Sequence, residues 1–280
     1  NNAYVFTNSD KGRIWNMSVK AQKTFDNGLY TMLAYSYLDS QDVNSIEAEI
    51  TGDAFDINPN YGDANRDVLA YSKYGDTHRF IGVASKRWTY GNDDVWSTTL
   101  STFFEYAQGG RFNYTYAGNI NGDSSFQNND LIYIPTDSEI DQMNWDTSVY
   151  TEQDQIDAFK NYIAQDDYLS DNRGNIAERY GALSPWRGKW DVKFLQDYKV
   201  KISEDKTNTI QFSIDILNFG NLINSDWGVI EQPNNVSPLG VDTSSGDPVF
   251  TFNPDQTSTF GFDAGLASRW QMQFGLRYIF

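Results

Sequence analysis

The sequence predicts an all-β chain, a wall of antiparallel strands of the kind that crosses a membrane as a β-barrel. Three observations carry this. Seven segments alternate apolar and polar residues with period two, and each is near the roughly 10 residues a tilted strand needs to span a bilayer. Their connections alternate strictly between short and long, as in outer-membrane barrels, where short turns face the periplasm and long loops face outward. Aromatic residues make up 16% of the chain while mean hydropathy stays at −0.59, which fits strands with one apolar and one polar face.

The first segment, Arg13–Phe25, places Trp15, Met17, Val19 and Ala21 on one face. Asp26-Asn27-Gly28 follows, a strong hairpin signal. The second, Leu29–Leu38, aligns Leu29, Thr31, Leu33, Tyr35 and Tyr37. The third is His78–Tyr90, with a short turn at Gly91–Asp94. The fourth begins at Val95 and aligns Trp96, Thr98, Leu100, Thr102, Phe104 and Tyr106. In the fifth, Trp186–Ile202, Trp190, Val192, Phe194, Tyr198 and Val200 alternate with Lys189, Asp191, Lys193, Asp197, Lys199 and Lys201. Ser203–Asn208 turns into the sixth, Thr209–Asn218, whose Ile210, Phe212, Ile214 and Ile216 oppose Gln211, Ser213 and Asp215. The seventh is Arg269–Phe280.

The long connections are Asp39–Thr77, Tyr116–Pro185 and Phe219–Ser268. If they lie outside, the first strand runs inward and the seventh ends in the periplasm. Residues Asn1–Asp10 then read as the end of an external loop. Bacterial single-chain barrels have an even strand count with both ends in the periplasm. Seven strands starting outside therefore lead us to expect a chain that lacks the N-terminal part of its barrel. A soluble β-sandwich is the competing fold. Strands longer than the usual 5 or 6 residues and the strict alternation of connections count against it.

No run approaches the roughly 18 apolar residues of a membrane helix. The opening NNAYVFTNSD does not read as a secretory leader, so a leader already removed or a longer parent chain is expected. Cysteine is absent, which removes disulfide and thiol chemistry. The net charge of −17 disfavours nucleic acid as a partner, because phosphate contacts need a basic surface.

Few residues suggest a chemical site. Asn119-x-Asn121-x-Asp123 with Asp130 has the spacing of a twelve-residue calcium loop: oxygen ligands at positions 1, 3 and 5, and a carboxylate at 12. Ser125 at position 7 would offer its carbonyl. Asn119 stands where Asp is usual, Ser124 where Gly is usual, and Asp130 is shorter than the usual bidentate Glu. The alternative is a plain polar turn. A bound calcium would be structural. Asp56-Ile-Asn58-Pro-Asn60-Tyr-Gly62 is similar but out of register at its glycine, and reads as a turn. Glu152–Gln165 predicts a helix, with Ile156, Phe159 and Ile163 packed on neighbouring loops. The many carboxylates of that loop read as a solvated face. His78 is alone and reads as a strand-end polar residue. No acid/base pair stands out, so no enzyme is expected.

The last strand puts Trp270, Met272, Phe274, Leu276, Tyr278 and Phe280 on one face and Gln271, Gln273, Gly275 and Arg277 on the other. In outer-membrane proteins this pattern with a terminal Phe is the signal read by the barrel-assembly machinery, carried here by Trp270, Phe274, Tyr278 and Phe280. An ordinary terminal strand is the alternative. Trp15, Tyr35, Tyr37, Trp88, Tyr90 and Tyr278 are expected in interfacial girdles. The loop aromatics Trp145, Tyr150, Trp186 and Trp227 are expected to pack among loops rather than to contact ligand.

An ordered set of short stretches extends this reading. They include Lys23-Thr-Phe-Asp-Asn-Gly-Leu-Tyr30, Ala70-Tyr-Ser72, His78-Arg-Phe80, Asn119-Ile-Asn-Gly-Asp123, Asn129-Asp-Leu-Ile-Tyr-Ile-Pro135, Glu178-Arg-Tyr-Gly181, Pro185-Trp186 and Gln196-Asp197. Asp215-Ile-Leu-Asn-Phe-Gly-Asn-Leu-Ile-Asn224, Trp227-Gly228 and the final strand complete it. With these the chain resembles the C-terminal barrel region of TonB-dependent receptors of the Bacteroidetes type, the Oar-like group, over residues 1–280. The resemblance implies an antiparallel transmembrane barrel of 22 strands in the outer membrane, bearing long extracellular loops with a short helix. It implies an N-terminal plug and a TonB-contacting segment absent from this chain. It implies energised uptake of an unidentified ligand, with the lipid bilayer, lipopolysaccharide and the barrel-assembly machinery as further partners. Two other functions stay open: a surface or secretion-associated barrel that binds a partner without transport, and a soluble β binding module.

Overall fold

The structure is a computed structural model that describes residues 3–280 apart from 47, 76, 124, 126 and 127. The chain is mostly β. Its long strands are β1 (Arg13–Thr24), β2 (Leu29–Asp42), β3 (His78–Tyr90), β4 (Trp96–Ala107), β5 (Arg187–Lys201), β6 (Thr207–Leu217) and β7 (Gln271–Ile279). They follow one another across a single sheet in chain order, every neighbouring pair antiparallel. The pair Ala70–Tyr71 adds a short strand beside the end of β2. β2 runs to Asp42, four residues past Leu38, because Asp39, Ser40 and Gln41 pair with Trp15, Ile14 and Arg13.

Three short turns lie at one end of the sheet. At the first, Gly28 takes φ 79°, a conformation that favours glycine. Asn27 Oδ1 there accepts from the Leu29 N–H at 3.0 Å. The second turn contains a short 3-10 segment at Asn92–Asp94. The third is closed by Ile202 N–H donating to the Lys206 carbonyl at 2.8 Å. Among the described residues β1 and β7 are each paired on one side only, so these strands form an open sheet and not a closed barrel.

At the other end the long connections fold on one another. They contain α1 (Thr51–Asp56), α2 (Asp137–Ile140), α3 (Glu152–Ala164), α4 (Asp167–Asp171) and α5 (Phe219–Ile223). Short pairings tie distant segments together. Leu239–Asp242 is antiparallel to Val249–Phe252 and parallel to Tyr116–Ala117. Arg111–Phe112 pairs with Ala182–Leu183, and Tyr133–Ile134 with Asn175–Ile176. The buried apolar core of the molecule sits here, around Tyr114, Ile132, Ile134, Phe159, Tyr162 and Phe252.

Helix α3 occupies the predicted position and buries the predicted face: Ile156, Phe159 and Ile163 are all within that core. Thr151 caps it, accepting the Asp154 N–H at 3.1 Å. Glu152 and Asp154 in the first turn complement the positive end of the helix dipole. Inside the core, Gln155 donates to the Asp146 carbonyl at 2.7 Å and accepts the Phe252 N–H at 2.9 Å, locking the helix to the Val249–Phe252 strand. Thr151→Ala should cost about 1 kcal/mol through the lost cap, seen as a lower melting temperature of the loop body in near-UV circular dichroism.

Candidate membrane-facing surface and loop site

Residues directly opposite in antiparallel strands lie on the same face of the sheet. The observed registers can therefore be followed across the whole wall. Ala21 opposes Leu33, Leu33 opposes Gly82, Gly82 opposes Phe104, and Phe104 opposes Trp190. Farther along the same face Phe194 opposes Ile214, and Ile214 opposes Phe274. The apolar halves of all the long strands thus form one continuous surface. None of its aliphatic or aromatic side chains is buried. Leu33 is 59% exposed, Phe274 63% and Leu276 79%.

Aromatic residues gather at the two ends of this surface. At the turn end stand Trp88, Tyr90, Trp96, Tyr198 and Tyr278, with Trp96 and Tyr198 ring centroids 4.4 Å apart. At the loop end stand Trp15, Tyr35, Phe80, Tyr106, Trp186 and Trp190, with Tyr35 4.7 Å from Phe80 and Tyr106 4.8 Å from Trp186. Aliphatic side chains such as Val19, Leu33, Leu100 and Ile214 fill the space between. From Trp190 to Tyr198 the chain rises about 27 Å along the strand. With the usual tilt this gives about 20 Å across a bilayer, comparable to the apolar band of membrane barrels.

The opposite face is mainly polar, with a few apolar residues such as Val83 and Phe103, and several of its polar groups bond one another. Arg79 meets Glu105 at 3.0 Å, Arg87 meets Asp197 at 3.3 Å, and Lys193 meets Asp215 at 2.7 Å. Asp197 also accepts from Ser97 at 3.2 Å and from Gln211 at 2.9 Å. Ser85 and Ser101 hydroxyls bond at 2.8 Å.

Each sequence-predicted residue can now be placed. Trp270, Phe274, Tyr278 and Phe280 share the apolar face, all exposed, and the Tyr278 and Phe280 rings stack at 6.2 Å. The Tyr278 hydroxyl accepts from Asn208 Nδ2. His78 stands at the start of β3, its Nδ1 2.8 Å from the Tyr35 hydroxyl and its ring stacked on Trp186. Trp145 is buried in the loop core, as expected. Trp186 and Trp227 depart from the expected loop packing: Trp186 is exposed and stacks on Tyr106 and His78 at the end of the sheet, and Trp227, 52% exposed, sits in the turn after α5, away from that core.

The residues of the Asn119–Asp130 loop come together. Asn119 Oδ1 accepts the Gly122 N–H at 2.7 Å, Asn121 Oδ1 the Asp123 N–H at 2.9 Å, and Asp123 Oδ1 the Ser125 N–H at 2.9 Å. Asp130, buried, turns its carboxylate into the loop, where Oδ2 accepts the Ile120 N–H at 2.8 Å. Burial pushes the Asp130 carboxyl above its ordinary pKa, the bonds from Ile120 and Asn121 oppose this, and repulsion from Asp123 adds to it. Ser124 lies outside the described residues. The Asp56–Gly62 stretch packs directly on this loop. Asn60 N–H donates to the Asn129 carbonyl at 2.9 Å, and Asn121 Nδ2 donates to Asn60 Oδ1 at 3.1 Å.

Two features had no sequence signal. Arg179 is buried and bonds Asp42 Oδ1 at 2.9 Å and Asn58 Oδ1 at 3.1 Å, joining β2, the loop after α1 and the second long connection. Tyr114 is fully buried and donates to Asp166 Oδ2 at 2.6 Å. Burial and that bond hold the Tyr114 hydroxyl far above its ordinary pKa. Tyr114→Phe should cost about 1–3 kcal/mol, because the buried Asp166 oxygen loses its donor; a denaturant melt of the loop body measures it.

No family model, curated protein or solved structure matches the chain.

Proposed function

We propose that this chain forms part of the wall of an outer-membrane β-barrel, and that the barrel is a TonB-dependent receptor of the Oar-like group that takes up a ligand under energy from the inner membrane. One observation carries the membrane reading: a broad apolar face with aromatic ends, broken by Lys86 whose ammonium lies over the Trp88 ring, is left uncovered, while the mainly polar opposite face pairs several of its charges internally. In water that arrangement is inverted, since a sheet buries its apolar face. In a bilayer it is the stable one. The single-sided β1 and β7 support closure with further strands, because an open sheet edge has no hydrogen-bonding partner in lipid. The ordered resemblance supports the receptor reading, and with it the plug, the TonB contact, lipopolysaccharide and the assembly machinery as partners. The terminal aromatic strand would be read by that machinery.

The packed core of the long connections supports a second reading, in which a rigid outer platform binds a partner without passing it inward. Expression of the gene in its native envelope separates these. The membrane reading expects the protein in outer-membrane fractions, soluble only in detergent, with tryptophans quenched by brominated lipid. A monodisperse protein in plain buffer would end it. Uptake abolished by a proton uncoupler or by loss of TonB fits the receptor. Ligand binding that persists with no uptake at all selects the platform.

A further inference from the structure

Two buried acidic residues, Asp56 and Asp130, lie where the first long connection packs on the second, each near enough to Asp123 to feel its charge. Asp56 ends α1 and is buried, Asp130 is 1% exposed, and Asp123 lies at the rim between them. Asp123 repels both of the others. Among the described residues no Lys or Arg pairs with any of the three. A buried negative cluster without a basic partner needs some other compensation.

A second observation concerns the unpaired half of the Asp130 carboxylate. The Asp130 carboxylate is held inside the loop by the N–H groups of Ile120 at 2.8 Å and Asn121 at 3.4 Å, both on Oδ2. Its other oxygen, Oδ1, is buried and has no hydrogen-bond partner among the described residues. The turn bonds of Asn119, Asn121 and Asp123 explain the shape of the loop. They leave Oδ1 unexplained, and buried polar atoms in folded proteins are rarely left so.

We infer that this junction binds one divalent cation of the calcium type, with Asp130 and Asp123 as charged ligands and the Asn121 side chain and Ser125 carbonyl as neutral ones, and that the ion fastens the Asp56–Asn60 segment to the Asn119–Asp130 loop. The donors are all oxygen, which suits a hard cation and not zinc or copper. Asn119 Nδ2 now donates to the Ser125 carbonyl at 3.1 Å. For the Ser125 carbonyl to serve the ion, this amide has to turn away. The clamp has its protein half already in place: Ser125 Oγ donates to the Asp56 carbonyl at 3.1 Å, and Leu131 N–H to the Asn60 carbonyl at 2.8 Å. Among the described residues no three His, Cys, Asp or Glu side chains form a metal-holding group. With only two charged ligands, the affinity belongs to the weak extracellular class, about 0.1–1 mM.

The inference concerns the loops alone and does not depend on the transport reading. Its test is calcium titration of the full chain in detergent, by calorimetry and by thermal melting against EDTA. One ion per chain should bind in the stated range and raise the melting temperature. Asp130→Asn keeps the shape and the N–H acceptor but removes the charge. Asp123→Asn does the same at the partly exposed rim, where folding is not at stake. Each should weaken binding at least tenfold and abolish the calcium-dependent rise. Identical melting in calcium and EDTA overturns the site. Wild-type affinity in both variants overturns these ligands, and an equal response to magnesium overturns the calcium assignment.

Discussion

Leu100→Arg should destabilise the folded chain by about 2–4 kcal/mol when it is reconstituted in lipid, the cost of a cationic side chain near the bilayer midplane on a barrel's outer face. Leu100 stands midway along β4 on the apolar face, opposite Lys86 on one side and Phe194 on the other. It is 46% exposed. In a water-soluble sheet, an arginine at such a half-exposed position would change stability by about 0.5 kcal/mol or less. The two solvents therefore give answers several-fold apart. Gln273→Arg is the matched control, because Gln273 opposes Asp215 on the polar face. It should be near neutral in either environment. Urea unfolding in lipid vesicles, followed by tryptophan emission, measures both. Equal, small effects at the two positions would remove the membrane reading.

Phe252→Ala should cost about 3–5 kcal/mol, the range for emptying a large buried aromatic site. Phe252 is fully buried, with ring centroids 5.0 Å from Phe159 and 5.4 Å from Tyr162. It is also the residue whose N–H is held by Gln155. Truncation loosens α3 from the strand that carries it. The loss should fall on the loop body. Proteolysis of the Tyr116–Pro185 region should accelerate, while far-UV circular dichroism of the strands should hardly change. A concerted collapse of loops and strands would mean that the two halves are one cooperative unit.

The strands were legible in the sequence because each keeps its apolar residues on one side for ten residues or so, and a register slip of one would reverse the face. The boundaries missed are polar: Asp39–Asp42 at the end of β2 carries no alternation, and Thr207 and Asn208, expected in a turn, pair with Lys201 and Val200 to begin β6. Helix α3 was legible for the same kind of reason, through Ile156, Phe159 and Ile163 at helical spacing. The loop core was not. Tyr114 and Ile132 lie more than a hundred residues before Leu239 and Phe252, and the segments are joined by pairings only two to four residues long. Such short pieces show no period. Arg179 was equally silent, since nothing local marks Asp42 and Asn58 as its partners. The Asn119–Asp130 spacing was visible. That Asp56–Asn60 lies on top of it was not, because the contact spans two different connections.

The location of the buried core has a consequence for heat. Apolar groups withdrawn from water give unfolding its large positive heat capacity and make stability curve with temperature. Here the withdrawn groups belong to the connections, while the strands keep their apolar face turned away from the rest of the chain. Warming and cooling should therefore act on the crown of loops, whose stability passes through a maximum. If the wall lies in a bilayer as proposed, it exchanges hydrocarbon for hydrocarbon and should respond far more flatly. Temperature then becomes a means of loosening the packed loops without dismantling the strands that carry them.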